Sequence, residues 1–295
     1  MRTLLTTVGT SLLGNAKRDL GAAQPNDQQF ANYLRQSDPV RASAETNSLS
    51  RLLQDGDKVV FLHSQTEDGR RCAEHLCRYF DGQGYAASIH EVADLSYAES
   101  RFKMRGLRSL VATLISLIRK ERAGGREVLV NATGGFKAEI AYATLVGLLF
   151  DVPVYYIHEA FQDIIEMPPT PIGWDYTLLA DHEKFFEWID EDLRPTAETD
   201  QRLRDLPADV RLLLSEEEGY TLLSPTGEAF YEAYRDRVAA AAGVPLFLSA
   251  NARKTYEGAE PQVQVLYART LQKLRVPELR RGGSEVVGDQ AGCLL

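Results

Sequence analysis

Three short stretches hold residue types suited to binding phosphate: Val8-Gly9-Thr10-Ser11, His63-Ser64-Gln65-Thr66 and Asn131-Ala132-Thr133-Gly134-Gly135-Phe136-Lys137. They offer hydroxyls, side-chain amides, one lysine and backbone N–H groups that glycine leaves accessible. None of the three contains a carboxylate. A donor-rich set of this kind suits an anion, above all phosphate. A helix expected after Gly135 adds unpaired N–H groups and the positive end of its dipole. Lys137 in its first turn fits as a counter-charge to phosphate, because on an unliganded helix a cation is unfavourable there. Two familiar nucleotide loops do not fit. Gly9 and Gly14 are wrongly spaced for a dinucleotide fingerprint, and no Gly-Lys-Ser/Thr follows for a P-loop. His63, His75, His90, His158 and His182 show no ligand spacing, and Cys72, Cys77 and Cys293 no zinc pattern, so neither metal nor cofactor is expected.

Each stretch follows an apolar run that reads as a buried strand, at 3–8, 58–62 and 127–130. Further strands are expected at 85–90 and 152–157, with an edge strand at 163–167. Helices are expected at 68–80, 107–122 and 136–150, the last nearly wholly apolar. Alternating strands and helices imply βαβ units and a parallel sheet covered on both faces. The carboxyl ends of such strands share one edge, where ligands sit. The three stretches should therefore converge. We place this Rossmann-like α/β part at 1–175, closed by Pro168-Pro169-Thr170-Pro171.

Residues 176–243 change character. Helices are expected at 181–192 and 206–214, with a loop at Glu216-Glu217-Glu218 and a small strand at 219–223. Ser224, Pro225 and Glu228 then open a helix running to about 242. This outline is winged-helix-like. Tyr176, Phe185, Phe186 and Trp188 read as core or interface. In 244–295 we expect a strand at 245–248, a helix at 249–257 capped by Ser249, and a helix at 261–274 with Val263, Leu266, Leu271 and Leu274 inward. A strand at the closing Leu294-Leu295 pair finds no partner in this reading, so the last domain, a partial α+β unit, is taken as incomplete.

The formal charge of −9 argues against a nucleic-acid binder over the whole surface and leaves room for a local basic site. Seven Lys/Arg against five Asp/Glu make 244–295 slightly basic on an acidic body. No run approaches the ~20 apolar residues of a membrane span. Three cysteines in 295 residues suit a reducing compartment, so a cytoplasmic location is the default expectation.

The three glycine-bearing stretches together, with Leu62-His63-Ser64-Gln65-Thr66-Glu67-Asp68-Gly69-Arg70 as the second, resemble the CRISPR-associated Rossmann-fold (CARF) family over about 1–175. The Asn-x-Thr-Gly-Gly-Phe-Lys stretch carries most of that likeness. The resemblance implies a homodimer whose paired ligand edges form one two-fold site for a cyclic oligoadenylate, tetra-adenylate ahead of hexa-adenylate, made by type III CRISPR complexes. By that likeness Thr10, Ser11, Ser64, Thr133, Gly134, Gly135 and Lys137 line the site, and Gly9, His63, Gln65, Thr66, Asn131 and Phe136 of the same stretches complete the expected ligand set, with His63 also readable as a strand-end histidine holding backbone. Thr10, Ser11 and Lys137 would support slow, metal-independent cleavage of the ring. The 244–295 piece is similar to the start of RelE-type mRNA interferases, through Phe247-Leu248-Ser249 and Pro261-Gln262-Val263-Gln264. That likeness implies an endoribonuclease acting on ribosome-bound mRNA, with Arg253, Lys254, Arg269, Lys273, Arg280 and Arg281 as candidate RNA contacts. The catalytic residues of that family lie on later strands, so the RNase is expected to be inactive in this chain. Two other readings are a CARF and winged-helix transcription regulator, which needs a basic recognition helix, and a stand-alone ring nuclease. The helix at 225–242 is net acidic, so no specific DNA partner is expected. No membrane partner is expected either.

Overall fold

In a computed structural model of the chain, residues 1–96, 105–157, 163–280, 285–286 and 293–294 are described. The first part runs β1 (Arg2–Val8), α1 (Ser11–Leu20), α2 (Asp27–Gln36), α3 (Pro39–Ala42), α4 (Ala44–Leu52), β2 (Lys58–Ser64), α5 (Glu67–Asp81), β3 (Ala86–Val92), α6 (Arg105–Ala123), β4 (Glu127–Asn131), α7 (Lys137–Leu149), β5 (Val154–Ile157) and β6 (Ile164–Met167). The strands form one six-stranded sheet of order β3-β2-β1-β4-β5-β6. All neighbouring pairs are parallel except β5 with β6, which closes the edge antiparallel. This is the mixed, mostly parallel α/β sheet that the alternation of strands and helices predicts.

Burial follows strand position. β1 and β2 are buried at every residue after the first, as strands covered on both faces must be. β3 lies at the edge and keeps Ile89 40% exposed. One face packs Leu4, Val8, Val59, Phe61 and Leu129 against Leu12, Phe30, Leu49, Cys72 and Leu76 of α1, α2, α4 and α5. α6 and α7 pack against each other and against β1, β3, β4 and β5. Each fully buried Leu or Phe of this kind contributes roughly 1.5–3 kcal/mol.

Four helices between β1 and β2 enter the fold where the sequence reading placed no element. Asn26 caps α2 with a reciprocal box to Gln29, and Ser43 caps α4 with one to Thr46. These caps fix where α2 and α4 begin, and α4 proves decisive for the site.

The remaining elements are α8 (Thr177–Asp181), α9 (Glu183–Glu191), β7 (Arg194–Pro195), α10 (Thr196–Arg202), β8 (Leu214–Glu217), β9 (Tyr220–Leu223), α11 (Pro225–Ala241), α12 (Ala250–Glu257), α13 (Pro261–Lys273), α14 (Pro277–Arg280), β10 (Glu285–Val286) and β11 (Cys293–Leu294). Short 3-10 turns occupy Leu203–Asp205 and Ala208–Leu213. Strands β7, β9 and β8 form a three-stranded sheet in that order. The chain divides into two compact units. The first is Met1–Thr170 with Leu212–Glu218 and Leu223–Ala229, and the second comprises Pro171–Arg211, Gly219–Leu222 and Phe230–Leu295.

Within the second unit, Tyr176 stacks on Phe230 at 4.9 Å between centroids and Phe186 on Tyr231 at 5.9 Å. The guanidinium groups of Arg194 and Arg202 lie over the Trp188 ring at 4.9 and 4.1 Å. Tyr176, Phe185 and Phe186 are therefore core residues, as their clustering predicts.

Several local expectations are corrected. The helix expected at 206–214 is a 3-10 turn, and the one expected at 181–192 breaks at His182 into α8 and α9. Glu216 and Glu217 belong to strand β8, turned back at Glu218 and Gly219, both at positive φ. Residues 245–248 form no strand. Pro245 lacks a backbone donor and Phe247 is 91% exposed. No residue of α13 is fully buried, and Leu266 is 48% exposed. The strand expected to lack a partner finds one, since Cys293–Leu294 pairs antiparallel with Glu285–Val286.

Candidate binding crevice at the sheet edge

β1 lies between β2 and β4, parallel to both, so the turns after these three strands emerge on one sheet edge. From β1 the chain order steps outward to β2 and β3 on one side. On the other side lie β4, β5 and β6. The crevice between the ends of β1 and β4 is thus the topological switch point, where ligands of open α/β sheets bind. The Gly9 turn and the 132–136 loop form its two walls.

These walls touch through glycines. A Cβ on Gly9 would stand 2.7 Å from the Gly135 nitrogen. One on Gly134 would stand 2.2 Å from Glu45 Oε1 and 2.6 Å from the Thr7 carbonyl oxygen. Gly135 holds φ +96°, a left-handed conformation reserved in practice for glycine. Thr7 Oγ1 donates to the Gly134 carbonyl at 2.5 Å and pins the loop to β1.

Two helices start in this crevice. α1 begins after Thr10 and α7 after Phe136, and neither of these N-cap residues caps its helix through its own side chain. Their first N–H groups are left to other acceptors. Thr10, Gly135, Phe136 and Lys137 are exposed, with Phe136 at 49%, while Gly9, Thr66 and Thr133 are half-buried. α5 differs, because Thr66 caps it by accepting from Gly69 N–H.

Other predicted ligand groups face inward. Ser11 Oγ accepts from Ala44 N–H at 3.1 Å and donates to Glu45 Oε2 at 3.3 Å. Buried Asn131 donates through Nδ2 to Ser48 Oγ at 2.8 Å and accepts through Oδ1 from Thr133 Oγ1 at 2.7 Å. Thr133 Oγ1 also accepts from Ile157 N–H. Buried His63 donates Nδ1–H to the Ser64 carbonyl at 2.9 Å and so holds strand backbone, and Ser64 Oγ pairs with Thr66 Oγ1. Gln65 is instead exposed, with its Oε1 accepting from Asp94 N–H at 3.0 Å.

The crevice is not free of carboxylates, although its loops are. α4 brings in Glu45, wholly buried, which accepts from Gly9 N–H at 2.8 Å. Burial pushes its carboxyl above the usual carboxylate range, against the hydrogen bonds from Gly9 and Ser11 that favour the charged form. Glu139, buried on α7, sits against Gly135. Nothing in the spacing of residues 43–46 marks Glu45 as part of a site. It reads there as an ordinary first-turn acid of a helix capped by Ser43.

Residues 40–170 match the family model of the CRISPR-associated protein Cas_APE2256. The match runs from α3 to β6 and includes Glu45 and the loops at 63–66 and 131–137. This similarity links the sheet and the loops at its carboxyl edge to CRISPR-associated proteins.

Of the candidate RNA contacts, Arg253 and Lys254 are exposed on α12, with no ion pair among the described residues. Arg269 pairs with Glu187 at 3.5 Å and Lys273 with Glu183 at 3.4 Å, and Lys273 also donates to the Ala180 carbonyl. The Arg280 side chain, Arg281 and His158 lie outside the described residues. Among the described residues no cluster of three or more His, Cys, Asp or Glu is arranged for a metal, and no helix is long and apolar enough to cross a membrane.

Proposed function

We propose that this chain is a CARF-type sensor of a type III CRISPR system, binding a cyclic oligoadenylate as a homodimer at the β1/β4 crevice. The observation that carries the reading is the pair of helix N-termini that open together at the switch point, beside an exposed lysine. Each terminus supplies N–H donors and a positive partial charge to a phosphate. Lys137 supplies a full charge. Exposed Phe136 offers a face on which an adenine stacks. One chain provides half the donors for a ring of repeated phosphates, and a two-fold partner provides the other half. The match of residues 40–170 to a CRISPR-associated family supports the same reading. Tetra-adenylate is the preferred ring.

Ring cleavage would proceed by in-line attack of a ribose 2′-hydroxyl on the adjacent phosphorus, expelling the 5′-oxygen and leaving a 2′,3′-cyclic phosphate. Thr10 and Lys137 are available to position that phosphate, whereas Ser11 is turned toward Glu45. The β7–β9 sheet and α11 form the winged-helix-like relay of this account. The α12–α13 hairpin is its RelE-like, ribosome-directed part, in which Arg253 and Lys254 have charge to spare for RNA phosphates.

Thermal unfolding with cyclic tetra-adenylate, cyclic hexa-adenylate and linear tetra-adenylate tests the proposal. A ring that binds only the native state raises Tm with concentration, and the linear chain does so less. An unmoved Tm with both rings rejects it.

A further inference from the structure

The Gly9 N–H at the switch-point crevice is already occupied by an acidic side chain from within the protein. Glu45 reaches it at 2.8 Å and takes the Ser11 hydroxyl at 3.3 Å with its other oxygen. Its carboxylate fills the space that a side chain on Gly134 would need. The two walls, the Gly9 turn and the 132–136 loop, therefore close on one buried acid supplied by the first turn of α4. We propose that Glu45 is a positioning residue that stands in for a ligand phosphate at the floor of the crevice, shaping the turn and opposing the messenger by charge until it takes up a proton.

The inference rests on the reading of the crevice as an anion site. It follows from two facts of geometry. The bond to Gly9 N–H survives protonation, because a protonated carboxyl still accepts through its carbonyl oxygen. The negative charge does not survive, and the phosphates above remain ionised. Neutral Glu45 thus leaves the crevice shape intact and removes a repulsion that burial screens poorly. Burial holds the Glu45 carboxyl above the usual carboxylate range, so the proton is gained more readily than at the surface. The other ionisable groups on the elements around it include Arg41 on α3, His63 on β2, Glu67, Asp68 and Cys72 on α5, Tyr155 on β5, and Glu139 and Lys137 on α7.

Calorimetric titration with cyclic tetra-adenylate, on wild type and Glu45→Gln from the ordinary glutamate value of about 4.3 upward to about pH 8.5, tests this. Glutamine keeps an acceptor for Gly9 N–H and carries no charge. Wild-type affinity should fall as pH rises through the raised Glu45 pKa. The variant should lack that fall and bind roughly five- to tenfold more tightly at the alkaline end. All of these groups are common to both proteins, so the difference between profiles reports Glu45. Parallel profiles, or weaker binding by the variant at every pH, overturn the inference and leave the messenger reading standing. Absence of binding by both proteins removes the reading itself, and this inference with it. If Glu45→Gln does not fold, Ser11→Ala reads the same carboxylate. Deprived of one donor it titrates higher, and the affinity profile moves to higher pH. A profile that does not move overturns the inference.

Discussion

Gly9 and Gly135 belong to different turns of the sheet edge, yet a Cβ on the first would meet the amide nitrogen of the second at 2.7 Å. The β1–α1 and β4–α7 connections are packed backbone to backbone, which side chains at these positions would prevent. Gly9→Ala should therefore force the walls apart. We expect a loss of about 1–3 kcal/mol in urea unfolding, the usual cost of overpacking, together with loss of cyclic oligoadenylate binding. Unchanged stability would mean that the two turns are free to separate.

Lys137 provides the opposite case. It is exposed at the first position of α7, where the helix dipole disfavours a cation. Lys137→Ala should leave stability unchanged or raise it by up to about 0.5 kcal/mol, while weakening messenger binding and flattening its salt dependence. A destabilised variant would assign the lysine to the fold.

At the other end of the strands, Arg2 Nη2 meets Asp57 Oδ2 at 2.5 Å with the acid buried. Burial opposes the Asp57 charge, but the Arg2 guanidinium and the Gln54 N–H hold its carboxyl below the usual carboxylate range. A carboxyl lowered by folding stabilises the native state above its unfolded pKa, and that contribution is lost as pH falls through the folded value. Asp57→Asn should cost about 1.5 kcal/mol near neutral pH, the lower end for a hydrogen bond to a charged group, since Arg2 stays partly exposed and keeps the Leu52 carbonyl. The gap from wild type should close on acidification. Urea midpoints at three pH values check this, and a gap constant with pH would contradict it.

Cys72 packs into the α5 core face, where burial, and then the Glu45 charge, push its thiol up to about 12. Almost none is thiolate at neutral pH, so it should resist alkylation in the native protein and react on unfolding. Peptide mapping after iodoacetamide reads it directly. Rapid native labelling would show that this face opens.

The sheet and the convergence of its three turns on one edge were legible because buried parallel strands are continuous apolar runs and their turns are glycine-rich. The 3–8, 58–62 and 127–130 runs each became a strand. Which hydroxyls the fold keeps for itself was not legible. Ser11, Ser64 and Thr133 look alike in sequence to free donors, but their partners Ala44, Thr66 and Ile157 come from other elements or later turns. Glu45 was invisible for the same reason. Its role arises only when α4 is carried back across β1, over a segment whose helices are short and set by caps at Asn26 and Ser43. The C-terminal hairpin misled differently. Its apolar residues at helical spacing predicted an inward face, and Leu266 is instead half exposed.

The most direct measurement is the calorimetric stoichiometry of cyclic tetra-adenylate with the full chain. The account predicts one ring per two chains, with affinity that falls as salt rises and is weakened by Lys137→Ala. One ring per single chain, or no heat with any cyclic oligoadenylate, would contradict it.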